Sequence, residues 1–158
     1  MSIAVTSPIN GLIADLSTVS DPVFAQGMMG PGIAIVPNMS DCASTFQDVY
    51  SPVAGTVMKV LPHAFIVQAQ TGILILVHLG IDTFRQSVQA FTNSLTQGDK
   101  ISSDKPVLQW APQKLLDVGM DATVIVAALE CPPQKISYRL FPGDQTHQGD
   151  ELFHVCIS

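Results

Sequence analysis

The stretch Leu61–Thr83, LPHAFIVQAQTGILILVHLGIDT, decides the fold. Two apolar runs, Ala64–Gln70 and Ile73–Leu79, flank Thr71-Gly72. Strand-forming residues on either side of a short glycine turn are the pattern of a β-hairpin. If Gln70 pairs with Ile73 across the turn, Phe65 falls opposite His78, and His63 sits one diagonal step away. Side chains alternate along a strand, so this register predicts His63, Phe65 and His78 on one face. Diagonal neighbours lie about 7–8 Å apart, close enough for two imidazoles to act on one group.

Outward from the hairpin the chain keeps the same grammar. Ser7-Pro8-Ile9-Asn10-Gly11 returns as Ser51-Pro52-Val53-Ala54-Gly55, and each copy runs into apolar residues. The echo predicts two related sheet halves begun by the same turn. Ile3–Thr6, Gly11–Asp15, Ile33–Val36, Thr56–Leu61, Pro106–Trp110, Ala122–Leu129, Ser137–Phe141 and Leu152–Ile157 read as strands, with weaker signals at Phe84–Ser87 and Ala90–Thr92. Cys42–Asp48 reads as a polar connection. Pro112–Val118 is the one clear short helix, with proline near its start and Gly119 as its stop. Many short strands with turns every 8–12 residues or so predict an all-β fold. The expectation is an antiparallel β-sandwich or partly closed barrel with one or two short helices. No linker or low-complexity segment divides the chain, so residues 1–158 are expected to form one domain.

The 158 residues are 47% hydrophobic and only 13% charged, which predicts a well-buried core rather than disorder. The net charge is −6 with seven Lys+Arg, too few cations for the basic face of a nucleic-acid binder. No run approaches the roughly 20 apolar residues of a membrane span, and the N-terminus lacks the pattern of a secretory signal. Cys42, Cys131 and Cys156 form no CxxC pattern and read as reduced thiols, which fits the cytoplasm.

His147 lies in a polar loop and reads as solvated. His154 alternates with Phe153 and Val155 and reads as a structural histidine. His63 and His78 stand apart because the hairpin unites them. Two structural histidines are the bland alternative, and three chemistries compete with it. Metal binding needs further ligands, of which Asp82 could be one, but neither HxH nor HExxH occurs. Hydrolysis finds no GxSxG elbow and no cysteine beside either histidine. Phosphoryl acceptance needs a neutral imidazole nitrogen, its other nitrogen fixed by a hydrogen bond, and a neighbour that stabilises the arriving charge. No nucleotide-binding glycine loop is present, so a protein donor is the simpler source. The Val23, Phe24, Met28 and Met29 cluster suits either a plug at one end of the sandwich or an adaptable docking surface.

The segment His63-Ala64-Phe65 through Val77-His78-Leu79-Gly80-Ile81-Asp82-Thr83 resembles the signature of the glucose-type enzyme IIA domain of the bacterial phosphoenolpyruvate:sugar phosphotransferase system. Ser7-Pro8…Gly11, Asp21…Val23-Phe24-Ala25, Gly32-Ile33-Ala34-Ile35 and Ser51-Pro52-Val53…Gly55-Thr56-Val57 also match. The resemblance implies that His78 accepts a phosphoryl group from the phosphocarrier HPr and passes it to a cysteine in the IIB domain of a sugar permease. His63 would stabilise that group. Asp21 and Asp82 match acidic positions that meet basic partners. Val23, Phe24, Met28, Met29, Leu76 and Phe84 match an apolar ring around the site, and Phe65 is expected at the same partner face. No cofactor is required; zinc at His63/His78 inside a complex is a weaker alternative. A second reading is a regulatory module whose phosphorylation state controls enzymes or transporters. Two departures from the family pattern stand out. Leu61 replaces the threonine that orients the first histidine, and Arg85–Gln89 replaces a glycine-rich stretch.

Overall fold

The structure, a computed structural model, describes residues 1–39, 46–81 and 89–157. In chain order the elements are β1 (Ser2–Thr6), β2 (Gly11–Ala14), α1 (Pro22–Ala25), β3 (Gly32–Pro37), β4 (Gln47–Tyr50), β5 (Gly55–Leu61), β6 (Ala64–Gln68) and β7 (Leu74–Ile81). Then come β8 (Phe91–Thr92), β9 (Lys100–Ile101), β10 (Pro106–Trp110), α2 (Pro112–Asp117), β11 (Asp121–Ala128), β12 (Ile136–Tyr138), β13 (Gln145–Thr146) and β14 (Glu151–Cys156). The all-β expectation holds, as antiparallel sheets without closure into a barrel. Gln47–Tyr50, half of it read as a polar connection, is a strand, because it pairs with β10 and buries Val49. The signal at Phe84–Ser87 and the residue Cys42 lie outside the described residues.

Eight strands form one sheet in the order β13-β2-β3-β11-β7-β6-β5-β9; two smaller sheets run β1-β14-β12 and β4-β10-β8. The order is a palindrome of equivalent strands. A rotation exchanging β7 with β11 also exchanges β3 with β6, β2 with β5, and one small sheet with the other. The sequence echo marks this symmetry. Ser7 Oγ donates to the Ile9 carbonyl at 2.7 Å, and Ser51 Oγ donates to the Val53 carbonyl at 2.5 Å. The two turns also bond to one another, Thr6 N to Pro52 O and Tyr50 N to Pro8 O. Gly55 is required by close approach: a Cβ there would stand 2.1 Å from the Gln68 carbonyl oxygen.

The main core fills the space between the large sheet and the two small ones. The large sheet contributes Ile13, Ile35, Phe65, Val67, Ile75, Val77, Leu79, Val124 and Val126; the small sheets contribute Val5, Phe153, Val155, Val49, Leu108 and Trp110. On the opposite face of the large sheet, Ala34, Ala64, Leu76, Ile125 and Ala127 form a second cluster. The connection between β2 and β3 lies over that face and supplies Val19 and Phe24.

The hairpin β6–β7 forms as expected, one residue out of the expected register. Ala64, not Phe65, pairs with His78, and Phe65 pairs with Val77. The loop is the cause. Ala69 N bonds to Ile73 O, and Gly72 N to Ala69 O, leaving three residues, Gln70-Thr71-Gly72, at the tip. Gly72 takes the left-handed φ of 89° that such a loop requires. A two-residue turn on Thr71-Gly72 would have put β-branched Thr71 at an unfavourable φ. A one-residue slip moves every side chain to the other face. Phe65 is therefore 1% exposed in the main core, not part of the surface that carries His78.

Phe65→Ala should lower unfolding stability by about 3–5 kcal/mol in urea denaturation, whereas Val23→Ala should change it by no more than about 0.5 kcal/mol. Equal stability of Phe65→Ala and the parent would remove Phe65 from the core.

Candidate functional site

His78 sits in the middle of the sheet, on β7 between β6 and β11. Leu76 and Ala64 share its face. Beyond it the ladder to β11 slips: Ile81 pairs with Asp121 but Leu79 with Val124, so Ala122 and Thr123 oppose Gly80 alone. That is a β-bulge, the device that re-aims groups next to functional sites. Gly80 adopts φ 80°, and its carbonyl meets His78 Nδ1 at 2.7 Å. A carbonyl only accepts, so Nδ1 carries the proton and donates it. In the neutral ring the lone pair is then on Nε2, which makes Nε2 the nucleophilic atom.

His63 comes from the two-residue turn Pro62-His63 between β5 and β6, closed by the Leu61–Ala64 pair. Its carbonyl accepts from Leu79 N at 2.8 Å, which extends the β6–β7 ladder by one step. The His63 and His78 rings meet edge to face, 4.9 Å apart between centroids. The expected proximity is thus realised, in a different register from the one read in the sequence. His63 is 6% exposed. Burial, and then the neighbouring His78, push its pKa from 6.5 down to about 4. It is a neutral imidazole at pH 7.

Other rings wall the pair. Phe24 lies 5.0 Å from His78, and Phe91 lies 6.4 Å from His63 and stacks on Trp110 at 6.4 Å. α1 delivers Phe24: Asp21 caps it by accepting from Val23 N at 2.9 Å, and Pro22 opens the first turn. Asp21 therefore has a structural task beside any partner contact. Phe24 and Leu76 are buried, at 8% and 5% exposure. Val23, Met28 and Met29 are exposed beside it, at 41%, 69% and 38%. Asp82 and Phe84 lie outside the described residues.

The sequence reading missed Gly80, Phe91 and Asn93. A glycine two residues after a strand histidine is itself a signal of a bulge. Phe91 and Asn93 reach the site from a distant strand and leave no local pattern. Among the described residues no third His, Cys, Asp or Glu joins the histidines as a metal group. A groove of about 370 Å³, lined by Leu16, Tyr138 and Phe141 among others, includes neither histidine. His78 is half-buried on a sheet face beside exposed apolar side chains.

Fold and site together define a class: an antiparallel β-sandwich that carries two imidazoles in contact on the face of its larger sheet. A family model described as phosphoenolpyruvate-dependent sugar phosphotransferase system, EIIA 1, matches residues 3–131, and the chain belongs to that family. It is 29% identical over 157 residues to a lactose permease of Lactobacillus delbrueckii subsp. bulgaricus, covering 98% of this chain and 24% of that one. It is 35% identical over 117 residues to a beta-glucoside-specific EIIBCA component of Bacillus subtilis, covering 73% and 18%. With a glucose-specific EIIA component of Staphylococcus aureus it shares 36% over 110 residues, covering 68% and 62%. The chain thus spans about a quarter or less of the first two relatives and under two thirds of the third. The solved glucose permease IIA from Mycoplasma capricolum has the same fold, with a TM-score of 0.83 at 24% identity over 98% of this chain and 96% of that one. No helix among the described residues is long and apolar enough to cross a membrane.

The depressed pKa of His63 fixes a pH window. The unfolded chain binds this proton near pH 6.5 and the folded chain only near pH 4, so stability falls as pH drops between those values. Each factor of ten in proton affinity is worth about 1.4 kcal/mol, so a loss on the order of 3 kcal/mol is expected across the window. His63→Gln should flatten that part of the pH profile in denaturant melts. Gly80→Ala should strain the left-handed backbone by about 1–3 kcal/mol. It should also turn the carbonyl away from Nδ1, read as a shift of the His78 nitrogens in ¹⁵N NMR.

Proposed function

We propose that the protein is a phosphoryl carrier: Nε2 of His78 takes a phosphoryl group from the histidine phosphocarrier HPr and gives it to the cysteine of a permease IIB domain during sugar uptake. The observation that carries this is the Nδ1–H bond to Gly80, which leaves the Nε2 lone pair for attack. On acceptance the Nε2–P bond forms as the donor's N–P bond breaks, and the electron pair returns to the donor imidazole. On delivery a IIB thiolate attacks phosphorus, and the His78 N–P pair returns to Nε2. The whole of the catalysis is positioning and electrostatics.

His63 supplies the second term. Before transfer it is neutral, so it does not repel a proton-bearing donor. A phosphoryl dianion on His78 reverses the sign of the local field and favours a proton on His63. His63 then donates a hydrogen bond to a phosphoryl oxygen. The exposed Val23, Met28 and Met29 give partners an apolar contact, and the net charge of −6 suits a basic one. The same exposed face suits a regulated enzyme or transporter that reads the phosphorylation state of His78. The cytoplasm is where HPr and IIB domains meet such a carrier.

Intact mass after mixing with phosphoenolpyruvate, enzyme I and HPr at mildly alkaline pH tests the relay. One phosphoryl group should add to the parent and none to His78→Gln. His63→Gln should still accept phosphate and pass it on more slowly. Phosphate on a folded His78→Gln would transfer the carrier role to His63.

A further inference from the structure

The turn that holds His63 is not of a kind that holds itself. Two-residue hairpin turns normally take the primed forms, whose twist matches the strands and which need a positive φ at one or both turn residues. Among the described residues only Glu130 has positive φ without being glycine, so Pro62 and His63 both have negative φ. Proline fixes that sign at Pro62. Turns of this hand splay the strands they join. The β5–β6 ladder and the bond from Leu79 N to the His63 carbonyl hold the strands beside the turn, and a side chain from a neighbouring segment can hold the turn itself.

We propose that Asn93 is a positioning residue for the histidine pair: its side-chain amide clamps the Pro62-His63 turn and so sets where the His63 ring stands against His78. Asn93 Nδ2 donates to the Leu61 carbonyl at 2.9 Å, at the residue where the turn begins. Its Oδ1 accepts from Leu95 N at 3.0 Å. The two bonds fix the amide orientation, since a carbonyl only accepts and a backbone N–H only donates. Asn93 directly follows β8, which is pinned to β10 through the Phe91–Trp110 and Thr92–Gln109 pairs. The ring of Phe91, from that short strand, stands 6.4 Å from His63 and stacks on fully buried Trp110. One segment thus reaches His63 twice, by a ring against its imidazole and by an amide on its turn. Leu61, 41% exposed, has no polar group with which to orient the imidazole. A clamp on its carbonyl is available whatever side chain it carries.

The activity part of this inference rests on the carrier reading above; the spectroscopic part does not. Asn93→Asp keeps the acceptor for Leu95 N and replaces the donor by an oxygen that repels the Leu61 carbonyl. Asn93→Gln keeps the amide. In ¹⁵N NMR, Asn93→Asp should move the His63 ring nitrogens and their titration midpoint, leave the His78 Nδ1–H signal in place, and be largely reversed in Asn93→Gln. In the relay assay it should slow delivery from His78 to a IIB domain by about ten- to a hundredfold, the scale for a misplaced group, with acceptance from HPr little changed. Circular dichroism and the fluorescence of Trp110 report folding, and Asn93→Ala reads the same signals should Asn93→Asp fail to fold. A folded Asn93→Asp or Asn93→Ala with unchanged His63 signals overturns the proposal, even if its melting temperature falls. Equal displacement in Asn93→Asp and Asn93→Gln also overturns it. Absence of phosphorylation in the parent would instead overturn the carrier reading and leave the NMR result to decide the role of Asn93.

Discussion

Two strands, β7 and β11, pair at the centre of the large sheet, and that pairing places everything else. β7 presents core residues to both sides, so its register is held by two buried faces at once. Ile75, Val77 and Leu79 point into the main core, while Leu76 and His78 point to the other face. The bulge opposite Gly80 marks where the regular ladder stops and the functional geometry begins. Strong packing below the site allows one irregular step in it. The hydrogen bond from His78 Nδ1 to the Gly80 carbonyl exists because of that step.

The electrostatics follow from the same placement. Burial and the neighbouring imidazole keep His63 neutral at pH 7. The rings of Phe24 and Phe91 flank the pair, with His63 buried and His78 half-exposed.

Much of this was legible in the chain. Period-two alternation and the turn residues announce an all-β fold. The S-P-x-x-G echo announces its doubling, because the same buried serine hydroxyl closes both turns. The two histidines were found on the right hairpin. The register was not, because Thr71-Gly72 looks like a two-residue turn, and only the left-handed Gly72 at the end of a three-residue loop shows otherwise. Phe65 was misplaced for that reason alone. The hydrogen bonds of Gly80 and Asn93 were beyond reach for another reason: each is made by a backbone carbonyl, and no residue type advertises where its carbonyl points.

The near-symmetry of the sheet breaks where the histidines stand. The strand registers put Ala127 of β11 at the place equivalent to His78 on β7. Where one half joins its second and third strands by Pro62-His63, the other joins them by residues 15–31, which carry Phe24 across the shared face. The site needs one of each. The two halves are therefore not interchangeable: one holds an imidazole at a tight corner, and the other supplies the ring that stands beside its neighbour.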